Sequence, residues 1–456
     1  MARVACVQLA ARDLSDARRS LDDAVAMAGE AAAGADLVVL PEAVYPGYIL
    51  GERSAVDLLP RGWYDDAVAR FAAVAAATGA HVCVGLVRPV GRALRNSAVL
   101  LSPGGGISTS DKSFLWHFDR SWFEPGDPSS VVVTPVGAVG VIVCADARMM
   151  ELPRRLAIAG ARILLDPTGL VLGPSGTNAQ IEYMLAARAI ENSVFLAVAN
   201  RCGTEAGVAR YAGRSAILAP DGARLTEAPG DEPAIVVAEI DVSTALGPAG
   251  RDPAGYAEIG EPTVRLGIAR VLEGPPPRRG LRVAIAGRAG GERTSRPLGA
   301  DVVVGPGATL AGMRAQHGEL LEGPPGVLVC VLVGERGLIP EEARTAMLRG
   351  ASALVWFTGD APPPIELVRT RADENRVCVL VVDAAGRWTA VAPTGAIVGA
   401  GPAPGVDMSF VDLPVQLAWS KEMVPGTDVV AGRRPELWPE IAAPDAGAVR
   451  RAQTPE

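Results

Sequence analysis

Histidine is scarce in this sequence. There are three in 456 residues, His81, His117 and His317, and none stands at ligand spacing to another His or to a Cys. That argues against a zinc site. It also leaves little for a Ser-His-Asp or Cys-His triad, so proton transfer in an enzyme of this composition falls to a carboxylate or a lysine. Aromatic residues are only 4%, a poor supply of base-stacking platforms. Basic charge is in deficit too: 43 Lys and Arg against 51 Asp and Glu, net −8, leave nothing to neutralise a phosphate backbone. No run reaches the length of a membrane span free of charge or proline. The apolar run in Met1–Ala10 is too short for a signal-peptide core and reads as a first buried strand. Six cysteines (Cys6, Cys83, Cys144, Cys202, Cys330, Cys378) show no paired short spacing, as expected of free intracellular thiols that are mostly small core residues. The expectation is a soluble, cytoplasmic protein with no metal, no cofactor, and no nucleic-acid or membrane partner.

What the chain has in quantity is apolar material, 49% of its residues, and a length that asks for two or three domains. Over the first 270 residues, Val-rich runs such as 36–40, 81–86 and 139–143 read as strands buried on both faces. Between them, Ser15 to Ala33 and Asp65 to Thr78 carry apolar residues at helical spacing. Alternation of this kind predicts an α/β layering. Asn96 to Leu101, with the turn Pro103-Gly104-Gly105-Gly106, reads as a hairpin; no Lys-Ser/Thr follows the glycines, so this is not a phosphate loop.

Gly274-Pro275-Pro276-Pro277-Arg278-Arg279-Gly280 is the clearest linker. Beyond it the sequence repeats itself. Residues 299–307 echo 34–42, Gly326–Cys330 echoes Gly140–Cys144, and Arg371–Val377 echoes Arg188–Val194. Three matches in the same order predict an internal duplication, with a shortened second copy. The Pro- and charge-rich stretch from about Ala418 reads as an extended tail.

Three segments of the first copy hold reactive groups at strand ends, where α/β sheets place them. Glu42 follows a buried strand and precedes the turn Tyr45-Pro46-Gly47-Tyr48. Lys112 lies ahead of Trp116 and of Asp119–Gly126. Cys144 ends Val139–Val143 and is followed by Ala145-Asp146-Ala147-Arg148. Taken singly, a Glu after Pro is more often an exposed loop charge, and a Val-flanked Cys more often core. Together, a thiol, a carboxylate and an ammonium suffice for amide-type hydrolysis. The thiol attacks a carbonyl or nitrile carbon. A dry Glu can take its proton and return it to the leaving amine. The ammonium and the backbone N–H of Ala145 stabilise the oxyanion.

These residues resemble the carbon–nitrogen hydrolase (nitrilase-like) superfamily, over about Val4 to Leu272. The order Pro-Glu, Lys, Cys is met by Glu42, Lys112 and Cys144, and Cys144, Asp146, Arg148 and Glu151 match the Cys-x-Asp-x-Arg-x-x-Glu pattern. Glu182-Tyr183-Met184, Ala187–Asn192, Ala199-Asn200-Arg201 and Ser215–Gly222 follow further family blocks. The resemblance implies an α-β-β-α sandwich and catalysis through Glu42, Lys112 and Cys144. It puts Asp119 where many members carry a second glutamate, one carbon longer. Ala145-Asp146 after the nucleophile, in place of Trp-Glu, favours an amide or N-carbamoyl substrate over a nitrile. Arg148 is the candidate for holding a substrate carboxylate, with an ion pair to Asp146 or Glu151 as the structural alternative; Tyr48 and Trp116 are further candidate substrate contacts. Arg188 and Glu191 read as a helix pair at i, i+3.

In the second copy, Gly307 stands where Glu42 does in the first, the lysine segment is missing, and Cys330 is followed by plain strand residues. The expected arrangement is therefore a catalytic domain over 1–272, a linker at 273–280, a degenerate repeat at 281–417 and an extension at 418–456. The repeat would form an intramolecular pseudo-dimer with the first copy, with room for further homo-oligomer formation. The leading reading is hydrolysis of a small carboxamide or ureido compound. Nitrile hydrolysis or acyl transfer to an amine, and a ligand-binding pseudoenzyme, are the alternatives.

Overall fold

In β1 (Ala2–Ala10), alternate side chains feed two different cores. Ala5, Val7 and Leu9 pack with Leu21, Ala24 and Ala28 of α1 (Ala17–Ala32) and with Phe71 and Ala75 of α2 (Trp63–Thr78). Val4 and Cys6 join a second core with Val139, Val141, Leu164 and Leu196. A strand with period-2 side chains and no polar face must be covered on both sides, and here a helix layer covers one side and a second sheet the other. The helices fall where the apolar spacing predicts them. Alanines at three- and four-residue intervals make the buried face of α1.

The computed structural model describes residues 1–52, 56–286, 299–305, 309–310, 313–314, 316–402 and 408–442. The chain divides into two units, Met1–Ala249 and Gly250–Asp445. In the first, β1 lies between β2 (Leu37–Val39) and β10 (Arg201–Glu205), with β14 (Ala234–Ile240) antiparallel along it. The sheet continues through β3 (His81–Val90), β4 (Ala93–Leu101) and β5 (Ile107–Asp111), the last pair forming the expected hairpin, and ends at β11 (Ala209–Ala212) on its other side. The second sheet has the order β13 (Arg224–Glu227), β12 (Ala216–Leu218), β9 (Phe195–Ala199), β8 (Ile163–Pro167), β7 (Gly137–Val141), β6 (Val132–Thr134). Its three central strands are parallel. They are backed by α3 (Glu151–Ile158) and α4 (Leu185–Asn192), whose Leu156 and Leu185 enter the same core. This is the expected α-β-β-α sandwich. Among the described residues no helix is long and apolar enough to cross a membrane.

The second unit has two sheets of its own. One runs β18 (Met313–Arg314), β17 (Thr309–Leu310), β16 (Val302–Gly305), β15 (Leu281–Ala286), β25 (Met408–Leu413). The other runs β19 (Leu320–Glu322), β20 (Leu328–Val333), β21 (Ala353–Phe357), β22 (Cys378–Val382), β23 (Trp388–Val391), β24 (Ile397–Gly401). β15 pairs parallel with β16 and antiparallel with β25, as β1 does with β2 and β14. Polar details recur as well. Asp36 Oδ2 accepts from the Arg3 N–H at 2.7 Å, and Asp301 Oδ2 from the Arg282 N–H at 2.9 Å. The Arg188–Glu191 pair (2.5 Å) in α4 has its counterpart in Arg371–Glu374 (2.9 Å) of α6 (Ile365–Asn375). Arg154 donates to the Glu191 carbonyl, and Arg344 of α5 (Pro340–Leu348) donates to that of Glu374.

These pairings correct one expected correspondence. Cys144 opens a 3₁₀ turn, Cys144–Arg148, at φ 52°; the residue that opens the matching turn Gly334–Leu338 is Gly334, at φ 64°, and not Cys330. Cys330 lies inside β20, buried. Gly307, the other expected difference, lies outside the described residues. The division of the chain falls at Ala249 and Gly250, so the proline-rich 274–280 segment is internal to the second unit. The stretch from Ala418 is not an extended tail as far as Ala442. Trp438 and Ile441 are buried, and Arg433 donates to the carbonyls of Glu258 and Ile259. Its prolines mask a few strong anchors.

Candidate active site

The C-terminal ends of the parallel strands bring the candidate residues together. Glu42 is seated by close backbone packing: the Gly85 N–H donates to the Pro41 carbonyl (3.0 Å), and the Val44 N–H to that of Gly85 (2.8 Å). Arg201 clamps the same turn from the other side, donating from Nε to the Glu42 carbonyl (3.0 Å) and from Nη2 to that of Ala43. Arg201 is held in turn by Glu205 (2.8 Å), which also accepts from Tyr211 Oη (2.7 Å) and from the N–H groups of Tyr48 and Ile49 (both 2.8 Å).

Lys112, one residue beyond β5, sends its ammonium into this turn. Nζ lies 2.7 Å from Glu42 Oε1 and 2.8 Å from Asp119 Oδ2, and all three side chains are shut off from solvent. Glu42 Oε1 also accepts from Asn96 Nδ2 (2.6 Å), whereas Oε2 is buried with no hydrogen-bond partner among the described residues. Burial alone would push the Lys112 pKa down; the charges of Asp119 and Glu42 outweigh it and hold the amine firmly protonated. Burial raises the Asp119 carboxyl against the pull of Lys112. Although Asp119 is one carbon shorter than glutamate, it reaches Lys112 because it opens a helical turn, Asp119–Trp122, folded back under the site. Its carboxylate accepts from the Trp116 N–H (2.6 Å) and from Tyr48 Oη (2.9 Å).

Cys144 follows β7. It is 6% exposed and sits in the left-handed region at φ 52°, uncommon for a residue with a side chain. Burial pushes its thiol up, reinforced by the charge of Glu42, while the Lys112 ammonium favours the thiolate. The Ala145 N–H comes next, in the first turn of a 3₁₀ helix, where donors lack intrahelical acceptors. Asp146 ties this turn to the lysine segment, accepting from the N–H groups of Ser113 (3.1 Å), Phe114 (2.8 Å) and Val143 (3.2 Å). Burial lifts its carboxyl to about 6.

The remaining candidates divide. The Arg148 guanidinium stacks 4.3 Å from the ring centre of Trp116, and its Nε donates to Gln180 Oε1 (2.9 Å), whose Nε2 donates to the Cys144 carbonyl (3.0 Å). Tyr48 is buried, with its hydroxyl engaged by Asp119 and its ring 5.9 Å from Lys112 Nζ. Reasoning from the sequence missed Asn96, Asp166, Gln180 and Glu205. Asp166 and Gln180 are single polar residues between apolar ones, while Asn96 and Glu205 have polar neighbours in Arg95, Ser97 and Thr204; the only sequence signal is that a polar side chain inside a buried strand or helix needs a partner.

Residues 3–246 match the carbon–nitrogen hydrolase family model. A nitrilase of Pyrococcus abyssi is 35% identical over 215 residues, 46% of this chain and 78% of the relative. An (R)-stereoselective amidase of a Pseudomonas species is 31% identical over 240 residues, 53% of this chain and 85% of that one. Among solved structures, an amidase from a Nesterenkonia species aligns with 30% identity and a TM-score of 0.47, over 52% of this chain and 90% of its own. With a buried Glu, Lys and Cys gathered at the strand ends of a two-sheet sandwich, and with that match across its first unit, this chain belongs to the carbon–nitrogen hydrolase family.

Proposed function

We propose that the first unit hydrolyses a small carboxamide or N-carbamoyl compound through a thioester on Cys144. The observation that carries this reading is the Glu42 carboxylate: one oxygen is held by Lys112 and Asn96, the other is buried with no hydrogen-bond partner among the described residues, and its charge is felt by the Cys144 thiol. The thiol is the resting form, because burial disfavours its anion. As Sγ bonds to the carbonyl carbon, Glu42 takes the thiol proton. The Lys112 ammonium and the Ala145 N–H stabilise the oxyanion of the tetrahedral intermediate. Collapse breaks the C–N bond, and Glu42 returns the proton to the leaving nitrogen. Glu42 then draws a proton from water, which attacks the acyl carbon; the C–S bond breaks, Glu42 returns the proton to sulfur, and a carboxylic acid (carbamic acid where the carbamoyl group was on the enzyme) is released.

Ala145 and Asp146, in place of Trp-Glu after the nucleophile, favour the amide over the nitrile. The test is a panel of neutral amides, amides bearing a carboxylate, N-carbamoyl amino acids and nitriles, followed by ammonia release and product mass. Turnover of amides or carbamoyl compounds is expected. Turnover of nitriles alone, or acyl transfer to an added amine in preference to water, would replace this reading.

We infer further that the second unit is a non-catalytic repeat of the first. The recurring Asp–Arg, Arg–Glu and helix-end contacts support duplication. Gly334, which carries no nucleophile, opens its equivalent of the Cys144 turn. Titration with a thioester-forming substrate should then give one acyl group per chain, and two would contradict it.

A further inference from the structure

A buried carboxyl that the mechanism above does not use lies directly behind the nucleophile. Asp166, in β8, is wholly shielded from solvent. Its Oδ1 accepts the backbone N–H of Cys144 at 2.8 Å, and its Oδ2 has no hydrogen-bond partner among the described residues. The Cys144 peptide is thus gripped at both ends, by Asp166 at the N–H and by Gln180 Nε2 at the carbonyl (3.0 Å). The residue between them is held at φ 52°, where its Cβ crowds the backbone. A left-handed non-glycine residue at a strand end persists only when its surroundings over-determine it.

The second unit supplies an internal comparison. Val139 of β7 pairs with Ile163 of β8, and Val329 of β20 pairs with Ala353 of β21. Three residues on from these partners stand Asp166 and Trp356. Where Asp166 meets the Cys144 N–H, Trp356 instead donates from Nε1 to the Gly334 carbonyl (2.9 Å), and its indole packs against Gly337 so closely that no Cβ would fit there. Gly334, with no Cβ, adopts the left-handed conformation at no steric cost. Where glycine and not cysteine opens the turn, tryptophan and not a carboxyl stands on the neighbouring strand.

We propose that Asp166 is a positioning residue for the nucleophile, accepting the Cys144 N–H so that the thiol-bearing residue keeps the left-handed turn from which sulfur attacks. This rests on the reading of Cys144 as the nucleophile. The Asp166 carboxyl acts as an acceptor and not as a charge: an anion here would oppose the thiolate, and burial keeps the group protonated far above the usual carboxylate range.

The test compares Asp166→Asn, which keeps the acceptor oxygen, with Asp166→Val, which removes it. The readouts are the rate of Cys144 alkylation by iodoacetamide across pH, measured by mass, and kcat and KM on whichever amide the wild type turns over. Asp166→Asn is expected to stay within about threefold of wild type with an unchanged pH profile, while Asp166→Val alkylates and turns over at least about tenfold more slowly at little-changed KM. Asp166→Ser, too short to reach the N–H, takes the place of Asp166→Val if the latter does not fold. A folded Asp166→Val or Asp166→Ser at the wild-type rate overturns the proposal, as does Asp166→Asn slowed as much as either of them. A wild-type Cys144 that neither alkylates nor supports turnover overturns the catalytic reading itself, and this inference with it.

Discussion

Asp119 Oδ2 lies 2.8 Å from Lys112 Nζ, and Glu42 Oε1 lies 2.7 Å from the same nitrogen. One buried cation is shared by two buried anions, and each carboxylate has further donors, Asn96 on Glu42 and Trp116 and Tyr48 on Asp119. The arrangement fixes the ammonium without giving it wholly to either side.

Asp119→Ala should therefore impair catalysis and stability together. Breaking a buried pair by removing one partner costs about 3–5 kcal/mol, and a Lys112 left to Glu42 alone should lower kcat by about a hundredfold. Thermal unfolding and steady-state kinetics measure the two effects. Wild-type kcat in a folded Asp119→Ala variant would remove Asp119 from the site.

Gly85 sets the position of Glu42 through the backbone. A Cβ there would lie 2.5 Å from Glu42 Cα and 2.8 Å from the Ala43 nitrogen, so the turn must shift to admit it. Gly85→Ala is expected to cost about 1–3 kcal/mol and to reduce kcat about tenfold or more by displacing the base. A variant with normal melting and full kcat would contradict the close approach.

Arg148 can be separated from its neighbours by substrate charge. If its guanidinium holds a substrate carboxylate, Arg148→Met raises KM about 10- to 100-fold for amides that carry one and spares neutral amides. Equal losses on both substrate types would instead assign Arg148 to holding Gln180 and the Cys144 carbonyl.

Lys421 makes the second unit sensitive to pH. Its Nζ donates to the carbonyls of Asn375 (3.2 Å) and Arg376 (2.8 Å) at the end of α6. Burial, then the charges of Arg376 and Arg344, lowers its pKa from 10.5 to about 7. Between those values the unfolded chain binds more protons than the folded one, so stability rises with pH. The contribution is fully lost below pH 7 and recovers toward 10.5, by at most about 1.4 kcal/mol per pH unit. Buried thiols act in the opposite sense once unfolded cysteines ionise near 9.0, so the clean window runs from pH 7 to about 8.5. Melting temperature should climb across it in the wild type and flatten in Lys421→Met. Parallel curves would show that Lys421 is not the group responsible.

The strands, the hairpin and the positions of Glu42, Lys112 and Cys144 were legible in the sequence because they ride on strong signals: Val runs, a glycine turn, and reactive residues where those runs end. The register of the second unit was not. A string of valines matches another string at several offsets, so Gly326–Cys330 aligns with Gly140–Cys144 by composition. In the proposed repeat it is the left-handed residue heading each 3₁₀ turn, together with the strand register, that sets Gly334 against Cys144. The domain limit was hidden for a related reason, since the conspicuous prolines lie inside the second unit and the real division has no compositional mark. Asp166 was invisible because a polar residue in an apolar run declares a need for a partner without naming it, and Asn96 because Arg95 and Ser97 on either side give it no contrast.

The most direct test is intact-mass spectrometry of the full chain during turnover of an amide. The account predicts a single acyl adduct on the wild type, absent in Cys144→Ala and retained in Cys330→Ala. An adduct that survives Cys144→Ala, or turnover by that variant, would contradict it.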